Sequence, residues 1–261
     1  MRIKNIYIII LVFISFTIFS VFLLMRPTKI YSQNDRDEER TRTAVFTYVE
    51  GTVKRQKNGE GDWFEIKEKS KVRSGDRVKT AEKTKAEIEL AEATYVRLDE
   101  NTTINILDLY KNVKAIKANV EVEGGNVWAK VKELSDEDEF AVTSPVARAS
   151  IRGTVFRVTT NEDNSTQIKV YNGEIAVSPW AIEEYGRVQE GELKEVPGPK
   201  EIEKPYKEVT LEQWVEIVRN LECITISPER KIIDKKKFSE KDSDEQSEWI
   251  KWCKQRDKKV K

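Results

Sequence analysis

The stretch that decides the fold lies near the middle of the chain and runs from Phe140 to Val158 as FAVTSPVARASIRGTVFRV. Apolar and polar side chains alternate from Ala147 to Ile151, which is the pattern of a half-buried β-strand. Beyond Gly153 the apolar positions become Phe156 and Val158, so the alternation has slipped by one residue. A slip of this kind turns every later side chain to the other face unless a bulge or corner absorbs it. Because glycine adopts the required backbone angles most readily, we predict a structural corner at Gly153.

Short apolar alternations of the same kind recur on both sides of this stretch, from Ala44 to Ser178. They comprise Ile88–Leu90, Val96–Leu98, Ile104–Ile106, Val120–Val122, Val127–Val131, Phe140–Val142, Ile168–Val170 and Ile175–Val177. Glycines separate many of them, as turns and bulges require. The pattern favours an all-β body. The eight-residue cadence of the early strands favours a roll or solenoid, with a β-sandwich as the alternative.

Six blocks of residues 44–178, taken in order, resemble the FecR domain. The blocks begin with Gly51-Thr52-Val53 and Gly75–Thr80, and they end with Phe140–Val158 and the closing hairpin Val170–Val177. The resemblance implies a FecR-type β roll. It also implies that the family positions build the fold and do not form a reaction site. These positions are Gly51, Trp63, Gly75, Asp76, Thr80, Asn101, Trp128, Pro145, Arg152, Gly153, Thr154, Phe156 and Gly173.

The beginning of the chain has a different composition. No charged residue lies between Lys4 and Arg26, and Ile6–Met25 is almost entirely aliphatic or aromatic. Its 20 residues would make a helix roughly 30 Å long, the thickness of a bilayer core. We therefore expect a short tail over residues 1–5, a single transmembrane anchor over 6–25 and a polar stalk over 26–43. We expect the main body to lie outside the cytoplasm, because long domains translocate largely regardless of flanking charge.

This organisation limits what the FecR resemblance implies about function. In the iron-uptake regulators that give the family its name, a cytoplasmic domain before the membrane span controls a sigma factor. Here only Met1–Asn5 precede the expected span. We therefore do not expect this chain to regulate a sigma factor by itself.

The composition excludes several classes of chemistry. The chain has 46 Lys and Arg against 46 Asp and Glu, and it has no His and only two Cys. Without His there is no Ser-His-Asp or Cys-His catalysis. Two Cys cannot complete a four-thiolate metal site. A neutral total also argues against a protein that coats nucleic acid. We expect neither an enzyme nor a cofactor, metal or small-molecule substrate.

After the β region we expect a proline-containing linker over residues 179–209 and a small helical region over residues 210–261. Thr210 and Gln213 have capping-box spacing. The apolar residues that follow fall on one helical face: Leu211, Trp214, Val215, Val218 and Leu221. A second capping-box spacing, Ser243 to Gln246, precedes Trp249, Ile250 and Cys253. We therefore predict two helices.

Two features of this region leave alternatives open. Cys223 and Cys253 could form a disulfide between the helices or remain as buried free thiols. The basic end could contact an anionic envelope surface or could be a frayed tail. The residues expected to make that surface contact are Trp249, Trp252, Lys254, Arg256, Lys258 and Lys259.

Together these observations predict a membrane-anchored, extracytoplasmic module of the bacterial envelope that binds a protein partner or senses a signal. The alternative is a structural envelope protein that tethers the membrane to wall or outer-membrane material.

Overall fold

The computed structural model describes residues 43–91, 93–111, 116–179 and 215–259. Seventeen strands and one helix, α1, form there, and two short 3-10 turns lie at Lys57–Gly59 and Ser243–Gln246. The elements are β1 Thr43–Glu50, β2 Val53–Gln56, β3 Trp63–Ile66, β4 Lys71–Arg73, β5 Arg77–Thr80, β6 Lys85–Ala91, β7 Thr94–Leu98, β8 Thr103–Lys111, β9 Ile116–Lys130, β10 Glu139–Thr143, β11 Ala147–Ile151, β12 Val155–Thr160, β13 Thr166–Asn172, β14 Glu174–Pro179, β15 Glu216–Arg219, β16 Glu222–Ile226, β17 Ile232–Lys237 and α1 Glu248–Lys259. The predicted mainly β body is confirmed.

The strands pair into two open sheets that share β9. Sheet A is antiparallel throughout, in the order β4-β1-β6-β7-β9-β12-β13-β16-β17. Sheet B has the order β3-β2-β5-β8-β9-β10-β11-β14-β15, in which β9 and β10 are parallel. Strands that are adjacent in sequence often belong to different sheets, so the chain crosses between the sheets many times.

The long strand β9 changes sheets at Gly125. Its first part, up to Gly124, pairs in sheet B, and its remainder pairs with β7 and β12 in sheet A. Gly125 has φ +92°, and a Cβ there would lie 2.5 Å from Oγ1 of Thr102. Both the backbone angle and the close neighbour therefore require glycine at this bend.

The two sheets enclose one apolar core. In most strands alternate side chains point inward, as the period of a strand dictates. Fully buried members of the core come from both sheets: Phe46, Ile88 and Val127 from sheet A, and Val78, Ile104 and Val120 from sheet B. Burying each such side chain contributes about 1.5–3 kcal/mol of transfer free energy.

The corner predicted at Gly153 is present. Strand β11 before it pairs in sheet B, and β12 after it pairs in sheet A. Gly153 has φ +66°, and a Cβ there would lie 3.1 Å from Cα of Glu133. The slip in alternation is thus a change of sheet, which keeps both Ile151 and Phe156 in the core.

The C-terminal region is only partly helical. The first predicted helix is wrong where it is described, because β15 and β16 form instead and pair with β14 and β13. These strands are rich in β-branched residues, and Val218, Ile224 and Ile226 are buried at strand spacing. The second predicted helix is confirmed as α1. Its first turn is capped by Ser247, whose Oγ accepts the N–H of Ile250 at 3.2 Å, and not by the predicted Ser243.

The expected anchor over residues 6–25, the stalk up to residue 42 and the linker over residues 180–209 lie outside the described residues. Among the residues that are described, no helix has both the length and the apolar character needed to cross a bilayer.

Candidate interaction face on sheet A

One row of side chains crosses sheet A on the face that points away from the core. Successive members are direct cross-strand neighbours, so they share one face. The row, called the polar row below, consists of Tyr48, Glu87, Arg97, Trp128, Arg157, Lys169 and Cys223. An outward face would ordinarily be solvated, yet Arg97 is 0% exposed and Glu87 is 1% exposed.

The cover that buries this row is the end of the same chain. We call residues 238–259 the C-terminal cover; it comprises Phe238, the 3-10 turn at Ser243–Gln246 and α1. Trp249, Ile250 and Cys253 of α1 pack on Trp128 in a small apolar cluster of their own. The cover therefore adds a second, smaller core on the outer face of sheet A.

The most buried charges of the polar row are Glu87 and Arg97. Nε of Arg97 lies 2.6 Å from Oε2 of Glu87, and Nη2 of Arg256 lies 2.6 Å from Oε1 of the same carboxylate. Oγ1 of Thr47 donates a further hydrogen bond at 2.7 Å. Burial alone would raise the pKa of Glu87, but the hydrogen bonds from Arg256, Thr47 and Arg97 outweigh it and lower the pKa to about 2. Glu87 is thus a charged anchor for α1.

Asp257 of α1 contacts two strands of sheet A at once. Its Oδ1 accepts a hydrogen bond from Nη1 of Arg97 at 2.6 Å, and its Oδ2 accepts one from Nε1 of Trp128 at 3.0 Å. Its backbone carbonyl accepts a bond from Nζ of Lys130 at 2.8 Å. This single residue fixes the register of the helix on the sheet, because each contact comes from a different side chain.

A second charged contact lies further along the polar row. Nη2 of Arg157 lies 3.0 Å from Oδ2 of Asp244 and 3.1 Å from Oε1 of Glu245. Nζ of Lys169 contacts the same two carboxylates. The Glu245 side chain is fully buried. Burial alone would raise the pKa of Asp244, but its bonds to Lys169 and Arg157 lower it. The 3-10 turn therefore carries two acidic groups onto two basic ones.

Aromatic contacts fill the space between the two charged groups. The rings of Trp128 and Tyr171 are 4.3 Å apart, and those of Tyr171 and Phe238 are 5.3 Å apart and edge-on. At the other end, Trp252 lies 5.2 Å from Tyr48. Aromatic contacts at these distances contribute about 0.5–1.5 kcal/mol each beyond the area they bury.

The family positions lie mostly in turns and in the core. Gly51, Gly75, Asn101, Gly153 and Gly173 all have positive φ at bends. Most of the others are buried: Asp76, Thr80, Trp128, Thr154 and Phe156. Pro145 lies in the bend between β10 and β11 and is half-buried.

Several of the buried positions bond to the backbone. Oδ2 of Asp76 accepts the N–H of Arg73 at 3.0 Å, and Oγ1 of Thr154 donates to the carbonyl of Glu174 at 3.0 Å. Two positions reach the surface. Nζ of Lys79 lies 4.1 Å from the ring of Trp63, and Arg152 pairs with Asp136 at 2.9 Å. Trp128 alone among the family positions belongs to the polar row.

Three of the six candidates for a surface contact lie against the chain's own sheet. Trp249 is buried, Trp252 packs against the apolar cluster, and Arg256 pairs with Glu87. Lys254 lies 3.5 Å from Glu240. The frayed-tail alternative is wrong up to Lys259, because the segment is a docked helix.

The remaining C-terminal candidates have two different environments. Lys258 and Lys259 are exposed. Cys223 and Cys253 are free thiols, which is the alternative to a disulfide. Both are buried, and burial raises the pKa of each.

The charged members of the polar row were not expected from the sequence. Glu87, Arg97, Arg157 and Lys169 occupy the polar positions of alternating strands, where a solvated side chain is the ordinary interpretation. Cross-strand register brings them into line, and that register depends on pairings between distant parts of the chain. Within the described ranges, no group of three or more acidic or Cys side chains is placed to hold a metal ion. The arrangement is suited to recognition by charge and shape.

Part of the β body is similar to a known family. Residues 76–176 match the family model described as FecR protein, which confirms the family resemblance. Two crystal structures of a candidate anti-sigma factor from Parabacteroides distasonis are 17% identical to the chain, with TM-scores of 0.42 and 0.41. Each match covers 62% of this chain and 59% of that one, so the chain spans about three fifths of those proteins. No curated protein matches the chain significantly.

Proposed function

We propose that the chain is a signalling module that acts by binding a protein partner and not by catalysis, because residues 76–176 match the FecR protein family model. The family match carries this proposal. The polar row supports it, because several charged side chains held in fixed positions give an interaction its specificity more than its affinity.

The proposal places the module at the bacterial envelope. The uncharged run Ile6–Met25 would serve as a single-pass anchor in the cytoplasmic membrane. The FecR domain would then lie outside the cytoplasm, where a protein of the envelope could reach it. In this arrangement the partner is extracytoplasmic and the chain transmits or senses its state.

Topology is the first experiment. A reporter pair active on opposite sides of the membrane is fused after Lys261, and the same pair is fused after Asn5 as the matched control. The proposal expects the Lys261 fusion to report export and the Asn5 fusion to report the cytoplasm. A cytoplasmic signal from Lys261 would overturn the extracytoplasmic placement.

Crosslinking in intact cells is the second experiment. A photoreactive residue at Ser150, which is exposed on β11 of sheet B, or at Lys258 on α1 should give a defined adduct with one envelope protein. Failure of both positions to crosslink to any protein would contradict an interaction module. Retention by purified wall polymer instead would favour the structural tether.

A further inference from the structure

We propose that the outer face of sheet A is a helix-binding face, and that the C-terminal cover occupies it until a helix of another protein replaces it. This inference rests on the proposed function as an interaction module, and it names the surface and the chemistry of the partner. The cover would act as an internal competitor, so that only a helix that fits the polar row better could bind.

The first support is that the cover is separable from the body. The main core contains no side chain from the cover. The apolar residues of α1 belong to the second cluster around Trp128. Because the cover follows β17 at the end of the described chain, it could leave sheet A without breaking any strand pairing.

The second support is the chemistry of the interface. Charged pairs dominate it: Arg97 with Asp257, Glu87 with Arg256, and Arg157 and Lys169 with Asp244 and Glu245. Buried ion pairs add little net stability, because the attraction must first offset the loss of hydration, but they strongly penalise a wrong neighbour. An interface of this kind is selective without being permanent.

The third support is that the cover satisfies the face incompletely. Among the described residues, Nη2 of Arg97 and Nε of Arg157 find no acceptor although both are buried. On the cover, Nε1 of Trp249 is buried without an acceptor as well. Buried donors left unpaired have a desolvation cost that a better-fitting helix would recover. The face therefore has capacity that its present occupant does not use.

The bound α1 shows what such a partner must present. Trp249, Cys253 and Asp257 are spaced by four residues, so they form one stripe of the helix. The stripe places two apolar side chains on Trp128 and one carboxylate on Arg97. The partner is thus an amphipathic helix with apolar residues at positions i and i+4, a basic residue at i+7 for Glu87 and a carboxylate at i+8 for Arg97. A further carbonyl or carboxylate near Arg157 would strengthen its binding.

The test uses the full chain and a fluorescent peptide of residues 238–261 as the probe helix. In the wild type the internal cover should block the probe. In the double variant Arg256→Gln/Asp257→Asn, α1 loses its charged contacts with Glu87 and Arg97, while Asp244 and Glu245 keep theirs. The weakened cover should let the probe bind at least ten-fold more tightly than to the wild type. The matched control is Lys258→Gln/Lys259→Gln, which changes two exposed positions of the same helix and should bind the probe as the wild type does.

A probe that carries Asp257→Asn should lose most of its affinity for the double variant. Circular dichroism must first show that the double variant keeps its strand signal. Equal probe binding by wild type and double variant would overturn the proposal, as would a folded double variant that binds no probe. Dimers detected by light scattering would indicate that copies of the chain exchange their covers. That result would overturn the inference that the replacing helix comes from a different protein. None of these results depends on topology or on crosslinking in cells, so the proposed function is tested separately.

Discussion

Replacing Arg97 by Met removes the centre of the contact between α1 and sheet A. In the folded protein the guanidinium is completely buried and contacts Glu87 and Asp257, each at 2.6 Å. Methionine fills most of the volume, so packing changes little. The two carboxylates lose a shared cation, and Asp257 keeps Trp128 as its side-chain donor.

The expected cost follows from the burial of this pair. Removing one partner of a buried ion pair costs about 3–5 kcal/mol when the remaining charge has no other partner. We expect the lower end of that range, because Glu87 keeps Arg256 and Thr47 and Asp257 keeps Trp128. This is a large part of the 5–15 kcal/mol typical of a domain. Urea denaturation followed by tryptophan fluorescence measures it, since Trp128, Trp249 and Trp252 lie at or beside the contact.

The matched control is Arg152→Met. Arg152 pairs with Asp136 at 2.9 Å, but its side chain is 64% exposed. Exposed pairs contribute about 0–1 kcal/mol, so this variant should unfold at nearly the wild-type urea concentration. A loss below 1 kcal/mol for Arg97→Met, equal to that of the control, would refute the reasoning that burial makes the contact decisive.

Three further predictions concern the corner, the acid response and the thiols. Gly153→Ala should lower the free energy of unfolding by about 1–3 kcal/mol, the cost of a strained backbone, because φ is +66° and Glu133 is close. The control Gly124→Ala has no neighbour within 4 Å and should lower it less. Equal losses in urea denaturation would contradict this prediction. Because the folded pKa of Glu87 is about 2 and its ordinary value is 4.5, its contribution to stability is complete above about pH 4.5 and is lost as the pH falls towards 2. Thermal denaturation across pH 2–7 should show a smaller acid-induced loss of stability in Glu87→Gln than in the wild type. Identical pH profiles of the two proteins would contradict this prediction. Cys223 and Cys253 should react with a thiol reagent only after denaturation, because both are buried and burial raises their pKa values. Rapid labelling of the native protein would show that the thiols are not buried. A lack of labelling in the unreduced, denatured protein would show that they are not free.

The β body was predictable because the alternation of apolar and polar residues in each strand is visible in the local sequence. The alternation of apolar and polar residues at Ile88–Leu90 and Ile168–Val170 has the two-residue period of any strand that buries one face. The corner at Gly153 was predictable for the same reason, since a slip in alternation needs a residue that tolerates positive φ. The segment before Leu221 was predicted wrongly because its apolar spacing also fits a helix, whereas its pairing with β14 makes it a strand.

The interaction face could not be predicted in this way. Arg97 and Asp257 are 160 residues apart, and nothing near either residue in sequence indicates the other. A charged residue in an alternating strand is usually solvated, so burial of Glu87 becomes visible only when α1 is in place. Tertiary contacts over such distances determine which polar positions of a sheet acquire partners.

Hydrogen–deuterium exchange of the full chain tests most directly whether the C-terminal cover is a separable occupant of sheet A. Segments that open independently exchange with their own free energy, below that of global unfolding. The account predicts that amides of α1, Glu248–Lys259, are protected but open well before those of β9, Ile116–Lys130. Exchange of α1 and β9 in a single cooperative event would show that the cover is a permanent part of the core and would contradict the account.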